Sequence, residues 1–136
     1  MAYWLLKTEP GEYAYADLER VGTDRWDGVR NAVALKHLRA MRPGDLALIY
    51  HTGSERAIVG VAEIVSDPYP DPAAERWPVV DVRARRRLPR PVTLAEIKAD
   101  PAFAAWELVR LPRLSVMPVP DEHWRRILAM AGASPG

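Results

Sequence analysis

Short apolar runs punctuated by Pro, Gly and Asp make up the chain. Their spacing switches between the two-residue period of strands and the 3.6-residue period of helices. Residues 2–8 (AYWLLKT) read as a strand that Pro10-Gly11 stops, and alternation places Lys7 and Glu9 on one face and Thr8 on the other. A helical turn is predicted over 15–20, and a polar stretch then leads to Trp26. From Asn31 to Arg42 the positions Val33 or Ala34, Leu38 and Met41 recur at helical spacing, with Asn31 as N-cap and Pro43-Gly44 as the stop. LALIYH (46–51) reads as a strand, His51 to Ser54 as a turn, and 56–65 as the next strand. Gly60 in its middle suggests a bulge or a close backbone approach.

The Pro- and Asp-rich segment 67–78 is predicted to be a surface loop. Alternation returns from Trp77 to Arg87, with Val80, Val82 and Ala84 on one side and Asp81, Arg83 and Arg85 on the other, as in a half-buried strand. A short helix over 94–99 with Thr93 as N-cap, a second helical stretch over 101–108, an extended segment over 112–119 and a final helix beginning at Pro120-Asp121 complete the chain. About five or six strands among a few short helices, with no repeating βαβ unit, predict an α+β fold on a closed or nearly closed mixed β-barrel. The length of 136 residues suits a single domain over 1–136.

Composition removes several kinds of chemistry. With no cysteine there is no disulfide, thiolate or Cys-based zinc site, and His37, His51 and His123 lack metal-ligand spacing. No cofactor or metal is therefore expected. No apolar run approaches the ~18 to 20 residues of a membrane span, and no signal-peptide pattern opens the chain. A soluble, cytoplasmic monomer is expected. The formal net charge of +1 excludes a wholesale basic surface, yet sixteen of the nineteen basic residues are Arg, bunched at Arg83, Arg85, Arg86, Arg87 and Arg90. Guanidinium groups suit phosphate and planar-base recognition. Codon bias in a GC-rich genome explains the same enrichment equally well.

Four segments carry candidate chemistry. Trp26-Asp27-Gly28-Val29-Arg30-Asn31 sets a stacking aromatic, a base-edge amide and a charge at a helix entrance. The plainer reading makes Trp26 core, Gly28 a turn and Asn31 a cap. Tyr50-His51 ends a buried strand, where His51 either meets a ligand or satisfies a neighbouring carbonyl. Lys7-Thr8-Glu9 also ends a strand, and a Lys7–Glu9 ion pair is its simplest use. Arg113-Leu114-Ser115 places two polar residues around a buried Leu114. The nucleophile-elbow, P-loop and zincin motifs are all absent.

Taken in order, YWLLKTEP, WDGVRN, PGDLALIYHTG, IVGVAEIV with DPYPDP, VTLAEIKADP and PRLSVMPV resemble the EVE domain family over residues 3–128. The Arg83–Arg90 cluster is more basic than the family pattern demands, and the loop near 67–78 is short. The resemblance implies a PUA-like fold, related to YTH and ASCH domains, whose pocket accepts a flipped-out base. It also implies a nucleic-acid partner, with 5-methylcytosine or an oxidised derivative in DNA as the target. Carried onto matching positions, the base pocket draws on Lys7, Trp26, Gly28, Val29, Arg30, Asn31, Tyr50, His51, Arg113, Leu114 and Ser115. Trp26 would stack, Asn31 and Ser115 would read the polar edge, and Arg30 and Arg113 would meet phosphate or a substituent. Arg83, Arg85, Arg86 and Arg87 would extend the phosphate contact. The alternatives are a reader of modified RNA, or an ASCH-like amidohydrolase acting on a modified nucleoside through Lys7, Thr8 and Glu9.

Overall fold

Two apolar runs form the centre of the structure, a computed structural model that describes residues 1–134. Strand β1 (Tyr3–Thr8) pairs in parallel with β3 (Leu46–His51), in register from Tyr3 opposite Leu46 to Thr8 opposite His51. Asp45 pins the start of this ladder. Its buried carboxylate accepts hydrogen bonds from Ala2 N, Trp4 Nε1 and Arg42 N, each at 3.0 Å. Burial alone would raise the carboxyl's pKa, but these bonds to the charged form outweigh it and hold the group below its usual range.

The remaining strands extend both ways from this pair. They are β2 (Thr23–Trp26), β4 (Ala57–Ile64), β5 (Tyr69–Asp71), β6 (Ala74–Thr93) and β7 (Val116–Pro118), in the order β2-β6-β4-β3-β1-β7, with β5 paired to β6. The α+β class holds, but the sheet has seven strands and does not close into a barrel. Its end strands are only four and three residues long and pair with β6 and β1 rather than with each other. Helix α2 (Ala32–Ala40) packs against both β6 and β7, burying Ala34, Leu35 and Leu38. Side chains rather than a backbone ladder therefore cover that side.

Helices α1 (Tyr15–Val21), α3 (Leu94–Ala99), α4 (Glu107–Arg110) and α5 (Asp121–Met130) complete the fold, with a 3₁₀ turn at Pro101–Phe103. Thr93 and Glu96 form a reciprocal cap on α3, each satisfying the other's backbone N–H. None of the helices among the described residues is long and apolar enough to cross a membrane. Gly60 carries both features that a strand glycine suggests. The β3–β4 and β4–β6 registers shift beside it, and a Cβ there would lie 2.5 Å from the Tyr15 ring. Tyr15 is buried against the sheet, and its hydroxyl donates to Val61 O at 2.7 Å.

Four segments differ from the pattern-based expectation, one of them the helical stretch over 101–108, which is a 3₁₀ turn at Pro101–Phe103 followed by α4 at Glu107–Arg110. The loop predicted over 67–78 is instead a hairpin of β5 and the start of β6, and β6 runs on to Thr93 as one strand. The polar stretch before Trp26 is strand β2, paired with β6 from Thr23–Arg83 to Trp26–Val80. The extended segment at 112–119 narrows to Val116–Pro118, because Leu114 N donates to Leu111 O and turns the chain first.

Asp45→Asn is expected to lower stability at neutral pH by about 1–3 kcal/mol, since the amide cannot accept from all three donors without presenting a donor to them. The Asp45 pKa is depressed in the folded state, so its contribution is complete above pH 3.8 and is lost as pH falls through the folded value. Urea unfolding at several pH values should show the gap between wild type and variant narrowing only below that point. A gap independent of pH would remove the charged carboxylate from this role.

Candidate functional site

Trp26 is the last residue of β2, and Gly28, with φ +80°, lets the chain turn sharply after it toward α2. The turn brings Asp27, Gly28 and Val29 around a cavity of about 370 Å³, opposite the end of β1. Trp26, Tyr13 and Asp24 form one part of the lining, and Lys7, Thr8 and Ser115 another. Ser115 arrives because its carbonyl accepts Lys7 N at 3.0 Å, which ties the C-terminal segment to β1.

Trp26 is buried, with 7% of the residue exposed, and it meets the Tyr13 ring edge-on at 6.3 Å between centroids. The Tyr13 hydroxyl donates to Asp24 Oδ2 at 2.6 Å, and Arg25 N donates to Asp24 Oδ1 at 2.8 Å. Burial, followed by the Asp24 carboxylate, pushes the Tyr13 phenol well above its usual range. Tyr13 thus remains a donor, and Asp24 keeps lone pairs for a donor entering the cavity.

Lys7 has a different environment. Its ammonium donates to Pro112 O at 3.0 Å and lies 5.5 Å from the centre of the Tyr50 ring. Burial lowers its pKa, and among the described residues no carboxylate lies within ion-pair distance of it. The expected Lys7–Glu9 pair does not form. Glu9 accepts from Gly11 N at 3.0 Å and from Thr52 Oγ1 at 3.3 Å. Thr8 Oγ1 donates to Tyr13 O at 2.6 Å, and the β1–β3 register passes Thr8 without a bulge. Glu9 is outside the cavity lining, so Lys7, Thr8 and Glu9 do not assemble the set an amidohydrolase would need.

The other expected residues lie around this cavity or behind it. Asn31 Oδ1 accepts from Val33 N at 2.9 Å and Ala34 N at 3.1 Å, capping α2. With Arg113 and Leu114 it lines a neighbouring groove rather than the cavity itself. Arg30 points toward the β5–β6 hairpin, where its guanidinium and that of Arg76 lie over Trp77, at 4.6 and 4.5 Å from the ring centre. His51 is buried at 5% exposure. Its Nε2 accepts from Tyr15 N and its Nδ1 meets Glu55 Oε1, both at 3.0 Å, so the ring joins β3 to α1. Arg83 and Arg85 both bond Glu63, Arg87 bonds Glu19, and Arg86 donates to Ser134 O. A more open depression of about 560 Å³ lies near Arg39, Arg42 and Tyr69, away from the sequence-expected residues.

The family model of the EVE domain matches residues 2–130. The chain belongs to the EVE domain family. Thymocyte nuclear protein 1 from Rattus norvegicus and from Homo sapiens are each 31% identical to this EVE domain, over 169 and 170 residues. The alignments cover 98% of this chain and 75% and 76% of those proteins. A solution structure from Rhodopseudomonas palustris is similar at a TM-score of 0.92, with 42% identity, covering 97% of this chain and 94% of that one. A crystal structure of human THYN1 protein in complex with 5-methylcytosine-containing DNA is similar at 0.89, with 28% identity, covering 99% and 100%. An ASCH structure from Zymomonas mobilis, at 0.61 and 12% identity, shares the fold alone.

In this EVE domain the sequence pattern did not single out Tyr13, Asp24 and Arg25, and it named Asp27 only as part of the Trp26–Asn31 segment. Asp24 had a usable signal, because it stands two residues before Trp26 and so shares its face of a strand. Tyr13 had none. It enters through a turn in which Tyr13 N donates to Glu9 O.

The cap assigns Asn31 a measurable structural share. Asn31→Ala should cost about 0.5–2 kcal/mol in urea unfolding, while Asn31→Ser should recover most of it. Equal losses in the two variants would mean that the side chain does more for the fold than cap α2.

Proposed function

We propose that this EVE domain binds nucleic acid by holding one extruded base in the Trp26–Asp24 cavity, and that the base is 5-methylcytosine or a derivative in DNA. The observation that carries the reading is the lining itself: a packed indole wall, a carboxylate held by Tyr13, and the backbone of 27–29 with Lys7 and Ser115 opposite. The flat wall suits a base face, and the Asp24 carboxylate suits the exocyclic amine of cytosine. The THYN1 complex with 5-methylcytosine-containing DNA supports the choice of DNA and of this base.

The energies are compatible. Extruding a base from a duplex costs a few kcal/mol. Stacking on Trp26 offsets about 1–3 kcal/mol of that, and a hydrogen bond to an ionised carboxylate adds about 1.5–3 kcal/mol. Phosphate contacts then supply net affinity without reading sequence. His51 contributes through the fold, since both its ring nitrogens are engaged, while Asn31 spends its Oδ1 on the α2 cap.

Thymine carries the same 5-methyl group as 5-methylcytosine but a carbonyl in place of the amine and an N–H at N3, so the two bases differ in the donor pattern that meets Asp24. In single-stranded DNA, where pairing costs drop out, 5-methylcytosine should bind about tenfold or more tightly than thymine. Asp24→Asn should shrink that difference, and Trp26→Ala should cost more than about 1 kcal/mol with either base. Equal binding of the two bases by wild type would remove Asp24 as the reader. Preference for the same base in RNA over DNA would move the target to RNA.

A further inference from the structure

Beside the base cavity lies a second cleft, of about 230 Å³, with a different electrostatic character. Three cations line it, Lys7, Arg56 and Lys98, together with Tyr50, Thr52 and Gly53, and no carboxylate is part of its wall. The carboxylate near its edge, Glu9, is engaged by Thr52 Oγ1 and Gly11 N. Lys7 borders both spaces, so the cleft opens one side chain away from the proposed base site.

These cations differ from the arginines of β6. Arg83 and Arg85 share Glu63, Arg87 holds Glu19, and Arg90 is paired with Glu96. Among the described residues neither Arg56 nor Lys98 has a carboxylate within ion-pair distance. Arg56 also has φ +45°, a left-handed conformation that glycine would adopt more readily. Its carbonyl accepts Leu94 N at 2.8 Å, which fixes the backbone at the junction of β6 with α3 and presents the guanidinium at the cleft. A half-buried Lys7 without a counter-ion is costly until an anion arrives.

We propose that this cleft, through Lys7, Arg56 and Lys98, holds a backbone phosphate of the bound nucleic acid. The inference rests on the nucleic-acid reading above, and adds where the strand's backbone passes. It moves the phosphate path away from Arg83, Arg85, Arg86 and Arg87, whose guanidinium groups already have partners within the chain. Inorganic phosphate shares the chemistry of a nucleotide phosphate, so the test separates the two.

Arg56→Gly suits the left-handed backbone and Lys98→Gln preserves an exposed helical position, so the double variant should fold. An unchanged thermal transition checks this. Its affinity for duplexes with and without one 5-methylcytosine should be measured by fluorescence anisotropy across a series of salt concentrations. The expected result is a common loss on both duplexes, a salt slope lower by about 1, and an unchanged preference ratio. Arg83→Gln with Arg87→Gln should leave the slope nearly as it was. An unchanged slope in the Arg56/Lys98 variant would overturn the assignment. So would calorimetric binding of inorganic phosphate that the double variant loses while its DNA affinity stays intact, because the cleft would then hold free phosphate. A lowered slope in a protein that shows no base preference would sink the base reading and leave the phosphate cleft standing.

Discussion

Asp45, itself buried, takes three hydrogen bonds and thereby sets where β1 and β3 begin to run together. Parallel strands have no short hairpin to fix their register, and slipping one residue would turn every side chain to the other face. With Tyr3 held opposite Leu46, Lys7 falls opposite Tyr50 and Thr8 opposite His51. Those four residues decide the other end of the ladder. Lys7 and Thr8 border the cavity, Tyr50 borders the cleft beside it, and His51 reaches back to hold Tyr15 N. A carboxylate at one end of the pair thus positions the chemistry at the other.

The charges fall into two populations. One is structural: Glu63, Glu19, Glu96 and Asp100 each hold arginines from other segments, and these pairs are exposed enough to be worth little individually. The other consists of cations with no acidic partner among the described residues, including Arg56, Lys98, Arg110 and Arg113, which line the cleft and groove on either side of the Pro112 carbonyl that Lys7 bonds. A net charge of +1 conceals this division. What matters for an anionic partner is which cations remain available, and Lys7, Arg56 and Lys98 are three of them that share one cleft.

Strong periodicity made β1, β3, β4, α2 and α5 legible in the sequence, and the Asn31 and Thr93 caps marked two helix starts directly. The β5–β6 hairpin was hidden because Pro68, Pro70 and Pro78 argue against strand pairing, yet a bulge at Asp71 and an edge position accommodate them. Strand β2 was hidden because it is short and mostly polar, and its pairing with β6 is a long-range fact. In the site, Trp26, Gly28 and Lys7 stood out by residue type and position. The Tyr13–Asp24 bond could not, because it joins a turn to a strand that had itself gone unrecognised. The Arg83–Arg87 cluster was conspicuous as sequence; in the structure Arg83, Arg85 and Arg87 meet two carboxylates, Glu63 and Glu19, and Arg86 a backbone carbonyl.

In the proposed function a base leaves its stack and enters the space between Trp26 and Asp24. A crystal structure of this domain with a duplex containing one 5-methylcytosine tests it most directly. The expected complex has that base outside the helix and against the indole, its amine within hydrogen-bond distance of the Asp24 carboxylate. A methylated base still paired in the duplex, or extruded into any other part of the surface, would contradict it.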